Sequence, residues 1–158
     1  MFRELVRKKQ QLSREECTAL LSAQPRGVLS VIGDEGYPYG VPMDHWYNPE
    51  DGCIYFHSGS TGHKVDAILG CDKASFCVMD SGFRNDCDWA LNIKSVIVFG
   101  KIQVIRDPAR AIEITRRLSY KYTSDSAYIE EEIAKYSSGL LVFALVPEHI
   151  TGKLVKES

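Results

Sequence analysis

No two cysteines in this sequence have the Cys-x-x-Cys spacing, and the five present, Cys17, Cys53, Cys71, Cys77 and Cys87, are odd in number and irregularly placed. That argues against both a disulfide framework and a closed zinc site, and most of them are expected to be small buried hydrophobes. No apolar run reaches membrane-spanning length, and the charged start Met1-Phe2-Arg3-Glu4-Leu5-Val6-Arg7-Lys8-Lys9 has no apolar stretch behind it that would make a leader. A soluble cytoplasmic protein without membrane partners is the expectation. Neither sign of charge is in excess: 19 basic residues face 21 acidic ones for a net charge of −2. A general grip on nucleic acid is therefore not expected. Repeats, low-complexity segments and any composition break between domains are also lacking. At 158 residues and 44% hydrophobic, the chain suits one domain over 1–158 that buries about two-thirds of the surface its unfolded form exposes.

What is present concentrates in residues 53–64. Cys53-Ile54-Tyr55-Phe56-His57 reads as a strand, Ser58-Gly59-Ser60-Thr61-Gly62 as a loop of small polar residues, and Val65, Ile68 and Leu69 then recur at helical spacing. His63 and Lys64 therefore fall in the first turn of a helix, where two potential cations face the positive end of the helix dipole and unbonded N–H groups. An anion would reverse the sign of that interaction. A phosphate held by the N–H groups, the Ser58, Ser60 and Thr61 hydroxyls and Lys64 would satisfy loop and charges together. A plain strand-to-helix connection with Lys64 in solvent is the other reading, and the residues alone leave both open. The stretch is not a P-loop, because His63 separates Gly62 from Lys64 and Val65 has no hydroxyl for Mg²⁺; the earlier glycine of a dinucleotide fingerprint is missing too. The motif thus points to a lone phosphate monoester. A metal bridged by His57, His63 and Asp66 matches no recognised ligand spacing.

In chain order, Ser13-Arg14-Glu15-Glu16 is a capping-box pattern opening a short amphipathic helix over residues 13–23. Residues 26–32 read as a strand and 39–47 as its hairpin partner, interrupted by Pro42. Inside a strand a proline removes a ladder donor, so this strand is an edge or is bulged there. Pro42 is a plain edge-strand proline or marks where a flat ligand lies against unpaired backbone. With 54–57 these strands read as a meander. Residues 74–79 form a further strand, and 92–105 is the longest candidate, its central Gly100 suggesting a bend or bulge as a barrel closes. Asp107 and Pro108 at N-cap and N1 open a helix to about Tyr122, and 125–137 reads as an acidic amphipathic helix. Residues 140–146 and 149–155 finish as a hairpin-like pair. Six or seven antiparallel strands with a few helices give a mainly β or α+β class, a small barrel over about 26–155 with peripheral helices.

The segments Arg26-Gly-Val-Leu-Ser, Tyr39-Gly-Val-Pro-Met-Asp, Ile54-Tyr-Phe-His-Ser…Gly62-His-Lys and Lys94-Ser-Val-Ile-Val-Phe-Gly, taken in that order, carry a resemblance. The chain resembles the pyridoxamine 5′-phosphate oxidase-like FMN-binding split-barrel superfamily from about residue 10 to 155, and within it the nitroimidazole-resistance type flavoproteins. The resemblance implies an FMN-dependent oxidoreductase that reduces nitro compounds or other small electrophiles. His57, Ser58, His63 and Lys64 would hold the FMN phosphate, and Val41, Pro42 and Met43 would lie along the isoalloxazine. A homodimer is implied with FMN at the interface, Ser95 reaching the flavin of the other protomer, and NADH, NADPH or a reductase supplying electrons to a small-molecule substrate. The arginine-rich pocket and C-terminal Trp/Arg segment of vitamin B6 oxidases are missing, so oxidation of pyridoxine phosphate is not expected. His45 and Trp46 stand next to the flavin strand, with His45 a conceivable proton donor or simply a packed residue. A non-catalytic flavin- or haem-binding protein, with His57 or His149 as axial ligand, and a deazaflavin-dependent reductase are the alternatives.

Overall fold

The computed structural model describes residues 1–136 and 139–157. In chain order its elements are α1 (Arg14–Ala23), β1 (Arg26–Ile32), β2 (Pro38–Asp44), β3 (Trp46–Tyr47), β4 (Ile54–Gly59), α2 (His63–Gly70), β5 (Lys73–Met79), β6 (Leu91–Val104), α3 (Pro108–Tyr120), α4 (Ser126–Tyr136) and β7 (Leu140–Glu157). The predicted capping box opens α1: the Glu16 N–H donates to Ser13 Oγ at 3.2 Å and the Ser13 N–H to Glu16 Oε2 at 2.9 Å. Asp107 caps α3 through the Arg110 N–H at 2.7 Å, with Pro108 just inside. The acidic helix expected over 125–137 is present as α4 to Tyr136; Ser137 lies outside the described residues.

The seven strands form one antiparallel sheet in the order β2-β1-β5-β6-β7-β4-β3. Alternation decides its two faces: Leu29 and Val31, Phe76 and Val78, and Val96 and Val98 point into the curl and are buried, while Val28, Met79, Ile97 and Phe99 point out. Phe56 anchors the core, edge-on to Phe76 at 5.0 Å and stacked on Phe143 at 5.2 Å. Helix α1 lays Cys17, Leu20 and Leu21 against the curl.

Two expectations are corrected. The terminal segment is one strand, β7, where a hairpin-like pair was predicted at Pro147. It pairs with β6 from Phe143 to Glu157, and the register shifts at Phe99/Gly100, opposite His149 and Pro147. The extra residue of this bulge absorbs the proline, whose missing N–H would otherwise leave a gap in the ladder. Gly100 is required there, because a Cβ would stand 2.2 Å from the Val146 carbonyl oxygen.

The early strands also fail to form a meander. β2 pairs only with β1 and β3 only with β4, so the chain steps at His45 from one edge of the curled sheet to the other. Residues 39–47 are broken there because the His45 backbone bonds elsewhere: its N–H and its C=O both bond the Tyr122 hydroxyl, at 2.9 and 3.1 Å. The two edges of the sheet face each other across a split, which is what positions the site. Among the described residues no helix is long and apolar enough to cross a membrane.

Candidate functional site

A groove of about 490 Å³ occupies the split, lined by Arg26, Pro42, Met43, Asp44, His57, Ser58, Gly59, Lys64 and Leu140. One wall is the outer edge of β2, whose only sheet neighbour among the described residues is β1. The other is the end of β4 and the start of α2. Gly62 makes the turn between them at φ +111°, a left-handed conformation that a side chain would strain. As the N-cap of α2 it has no side chain to offer, so the first-turn N–H groups of His63 and Lys64 lack a capping partner from that residue.

Five of the eight residues expected at the site come together in this groove: Pro42, Met43, His57, Ser58 and Lys64. The Lys64 ammonium reaches back across the split to Met43 Sδ at 3.4 Å. Burial lowers its pKa, and among the described residues it forms no ion pair. A partly desolvated cation without an ion-pair partner among the described residues would be stabilised by an anion. His57 also has a lowered pKa, because it is buried first and because Lys64 lies near; the Asp44 carboxylate opposes this in part. His57 is thus neutral at neutral pH. Asp44 itself accepts from Arg26 Nε at 2.7 Å, an ion pair at the rim of the groove.

Three expected residues stand elsewhere. Val41 turns inward and packs against the core. The His63 ring stacks on Tyr39, centroids 4.2 Å apart, and its Nε2 accepts from the Asp34 N–H at 3.4 Å, on the side of the β1–β2 turn and away from the groove lining. Ser95 lies on the outer face of β6, level with Met79 and Lys153.

His45, considered as a proton donor, is fully buried behind the groove. Its Nε2 meets the Leu21 carbonyl oxygen at 2.7 Å, its ring stands edge-on to Phe76 at 4.8 Å, and burial followed by the nearby Lys121 charge pushes its pKa down to about 4. It is a packed residue out of reach of any substrate. Trp46 stacks on Tyr55 beneath Arg117, also outside the groove. Among the described residues no three His, Cys, Asp or Glu side chains gather as metal ligands.

The groove also holds residues that sequence reading missed. Arg26 and Asp44 are cross-strand partners in the β1–β2 hairpin, so its register would have paired them. Leu140 carried no local signal, because it enters only through β7 pairing with β4 opposite Gly59.

The pyridoxamine 5′-phosphate oxidase family profile matches residues 13–154. No curated protein matches the chain. Among solved structures, a candidate 5-nitroimidazole antibiotic resistance protein from Bacteroides thetaiotaomicron superposes with a TM-score of 0.78 at 19% identity, covering 93% of this chain and 87% of that one. A FAD-binding protein from Mesorhizobium loti gives 0.66 at 22% identity over 92% of this chain and 97% of its own. A flavocytochrome from Azotobacter vinelandii gives 0.76 at 21% identity over 96% of this chain and 72% of its own. At these identities the structural likeness speaks for the fold, a split barrel, and the family rests on the sequence match. With that match running from the cap of α1 into the last strand, the chain belongs to the pyridoxamine 5′-phosphate oxidase family.

Proposed function

We propose that this protein is a flavin-dependent oxidoreductase whose flavin lies in the groove along the edge of β2, with its 5′-phosphate at Lys64. FMN is the smallest cofactor that meets this description. The observation that carries the reading is Lys64: a half-buried ammonium that among the described residues has no ion-pair partner, at the start of α2, facing a strand edge that no described strand pairs. Lys64 and the first-turn N–H groups would hold the phosphate, Ser58 adds a hydroxyl, and the β2 edge offers main-chain groups to a flat ring. Pro42 and Met43 would exclude water from one ring face. A bound flavin supplies electron or hydride transfer to a small electrophile, nitro compounds being the acceptor class proposed, with electrons from NADH, NADPH or a reductase in a cytoplasmic setting. No groove residue is asked to act as a nucleophile.

A homodimer belongs to this reading. Val28, Ile32, Met79, Ile97 and Phe99 expose 37–64% of their surface on the outer sheet face. Pro42 pairs with Val28, so the groove is continuous with that face. Ser95 stands on the same face, which fits a role across the interface. Contiguous exposed apolar surface of this kind marks an association site. Ile97→Asp is expected to convert the dimer to monomer in size-exclusion chromatography with light scattering, and a monomeric wild type at micromolar concentration would remove the dimer from the proposal.

The direct test is the visible spectrum of the purified protein, with FMN or FAD added if it is colourless. Oxidised-flavin bands, bleached by NADH or NADPH and restored by a nitro compound, are the expected result. A Soret band would instead favour haem on His57, since His149 is stacked under Phe2 at 4.9 Å. A bound deazaflavin, or failure to take up any flavin, would likewise overturn the proposal.

A further inference from the structure

The segment before α1 is fastened at both ends to the outer face of β6 and β7. At one end the Phe2 ring stacks on His149, centroids 4.9 Å apart. At the other, Gln11 bridges to Lys153 and the Leu12 N–H donates to the Gly152 carbonyl at 2.9 Å. Ile150 and Leu154 of β7 pack against the core, so by alternation Thr151, Lys153 and Val155 point outward beneath this segment. A chamber of about 410 Å³ lies between the two, within the ~300–1,000 Å³ range of small-molecule sites. Among the described residues it shares no lining with the Lys64 groove. Its walls divide by chemistry: Leu5, Val6, Phe99 and Val155 are apolar, while Arg3, Arg7 and Lys153 supply three cations. Among the described residues none of the three forms an ion pair, and Glu4, the one acid in the described lining, is taken by Lys8 at 3.1 Å. Like charges around one chamber repel one another, and an anion among them relieves the repulsion.

We infer that this chamber is a second ligand site, for an amphipathic anion: a carboxylate held among Arg3, Arg7 and Lys153, on a flat apolar body laid against Phe99 and Val155. Both halves of the ligand are needed. A bare anion would leave the apolar walls in water, and an uncharged ring would leave the cations uncompensated. The flat shape follows from the floor, which is a sheet face carrying an aromatic ring. The site stands whether or not the groove takes flavin. Phe99 also belongs to the apolar patch of the proposed dimer, so the ligand would lie at the border of that interface.

The test is binding of 2-naphthoate to the full chain by calorimetry, with 2-naphthamide as its uncharged counterpart and inorganic phosphate as the bare anion. Naphthoate is expected to bind, less tightly as salt is raised, and naphthamide at least about tenfold more weakly, the scale of several exposed ion pairs together. The triple variant Arg3→Gln, Arg7→Gln, Lys153→Gln should bring naphthoate down to the naphthamide level. Thr151→Trp, which places an indole on the floor of the chamber, should abolish binding of both. Saturating FMN should leave naphthoate affinity unchanged, because groove and chamber are lined by different residues. Absence of naphthoate binding, an affinity unchanged in the triple variant, competition by FMN, or phosphate binding as tightly as naphthoate would each overturn the inference. If Thr151→Trp does not fold, the triple variant decides, since its three side chains are exposed.

Discussion

Lys64→Ala is expected to weaken flavin binding by about 1.5–3 kcal/mol, the scale of a hydrogen bond to a charged group, or roughly 10- to 150-fold in Kd. The prediction follows from where the ammonium sits. Burial lowers its pKa and it reaches the Met43 sulfur at 3.4 Å, so among the described residues the charge has lost water without gaining an ion-pair partner. A phosphate supplies what is missing, and the helix dipole of α2 adds to it. Because the free protein holds Lys64 at a cost, the folded chain should tolerate Lys64→Ala well: the melting temperature without flavin should be unchanged or slightly raised, while the flavin-induced rise shrinks. Lys64→Arg should retain most of the affinity. Flavin fluorescence quenching gives Kd directly, and an unchanged Kd in Lys64→Ala would remove the phosphate from this end of the groove. Raised salt should weaken the wild type more than the alanine variant, since only the former has the charge to screen.

Stability is expected to fall by about 3 kcal/mol between pH 7 and pH 4 on account of His45 alone. In the unfolded chain this side chain titrates near its ordinary value of 6.5, whereas burial and the Lys121 charge hold it near 4 in the fold. Below 6.5 the unfolded state takes up a proton that the folded state refuses. The stability contribution is therefore complete above pH 6.5 and is lost as pH falls through 4, about 1.4 kcal/mol per unit in between. The groups facing the ring account for the refusal. Nε2 is bonded to the Leu21 carbonyl, Lys121 Nζ stands 3.3 Å from the same nitrogen, and the buried Nδ1 has no partner among the described residues to share a new proton. Lys121, itself lowered to about 8 by burial and donating to the Gln24 carbonyl at 2.6 Å, stays protonated throughout this window. His57 pulls in the same direction, so the comparison must be with His45→Gln, which keeps a donor for Leu21 but does not titrate. Urea unfolding at pH 7, 5.5 and 4 should show the two proteins converging as the pH drops. Parallel pH dependence would show that His45 gains a proton freely in the fold and that the packing around it is looser than the structure has it.

Local chemistry was enough for the elements that local chemistry controls. The capping box at Ser13, the Asp107-Pro108 start of α3, the long strand of β6 and the loop that delivers Lys64 to the first turn of α2 were all legible, because caps, turns and alternation act within a few residues. Pro42 correctly marked an edge, since a missing donor can be tolerated only where no neighbour asks for it. The unity of β7 was not legible: Pro147 reads as a break until Gly100, nearly fifty positions earlier, is seen to face it across a bulge. His45 misled for a related reason. Its neighbours Trp46 and Tyr47 suggest a continuing strand and an accessible ring, while the groups that bury and hold it, Leu21, Phe76, Lys121 and Tyr122, come from three other parts of the chain.

The residue types of the candidate site, a lysine at a helix start and a proline on a strand, were thus legible in the sequence, together with the resemblance to the family that the profile match shows. Only the tertiary structure decided that they face each other across a split, that His63 turns to Tyr39 instead, and that a second chamber lies between the segment before α1 and the outer sheet face. Caps and strand edges are properties of a few adjacent residues, but a groove is a distance between two edges of a curled sheet, and that distance is set by the sum of all the pairings between them.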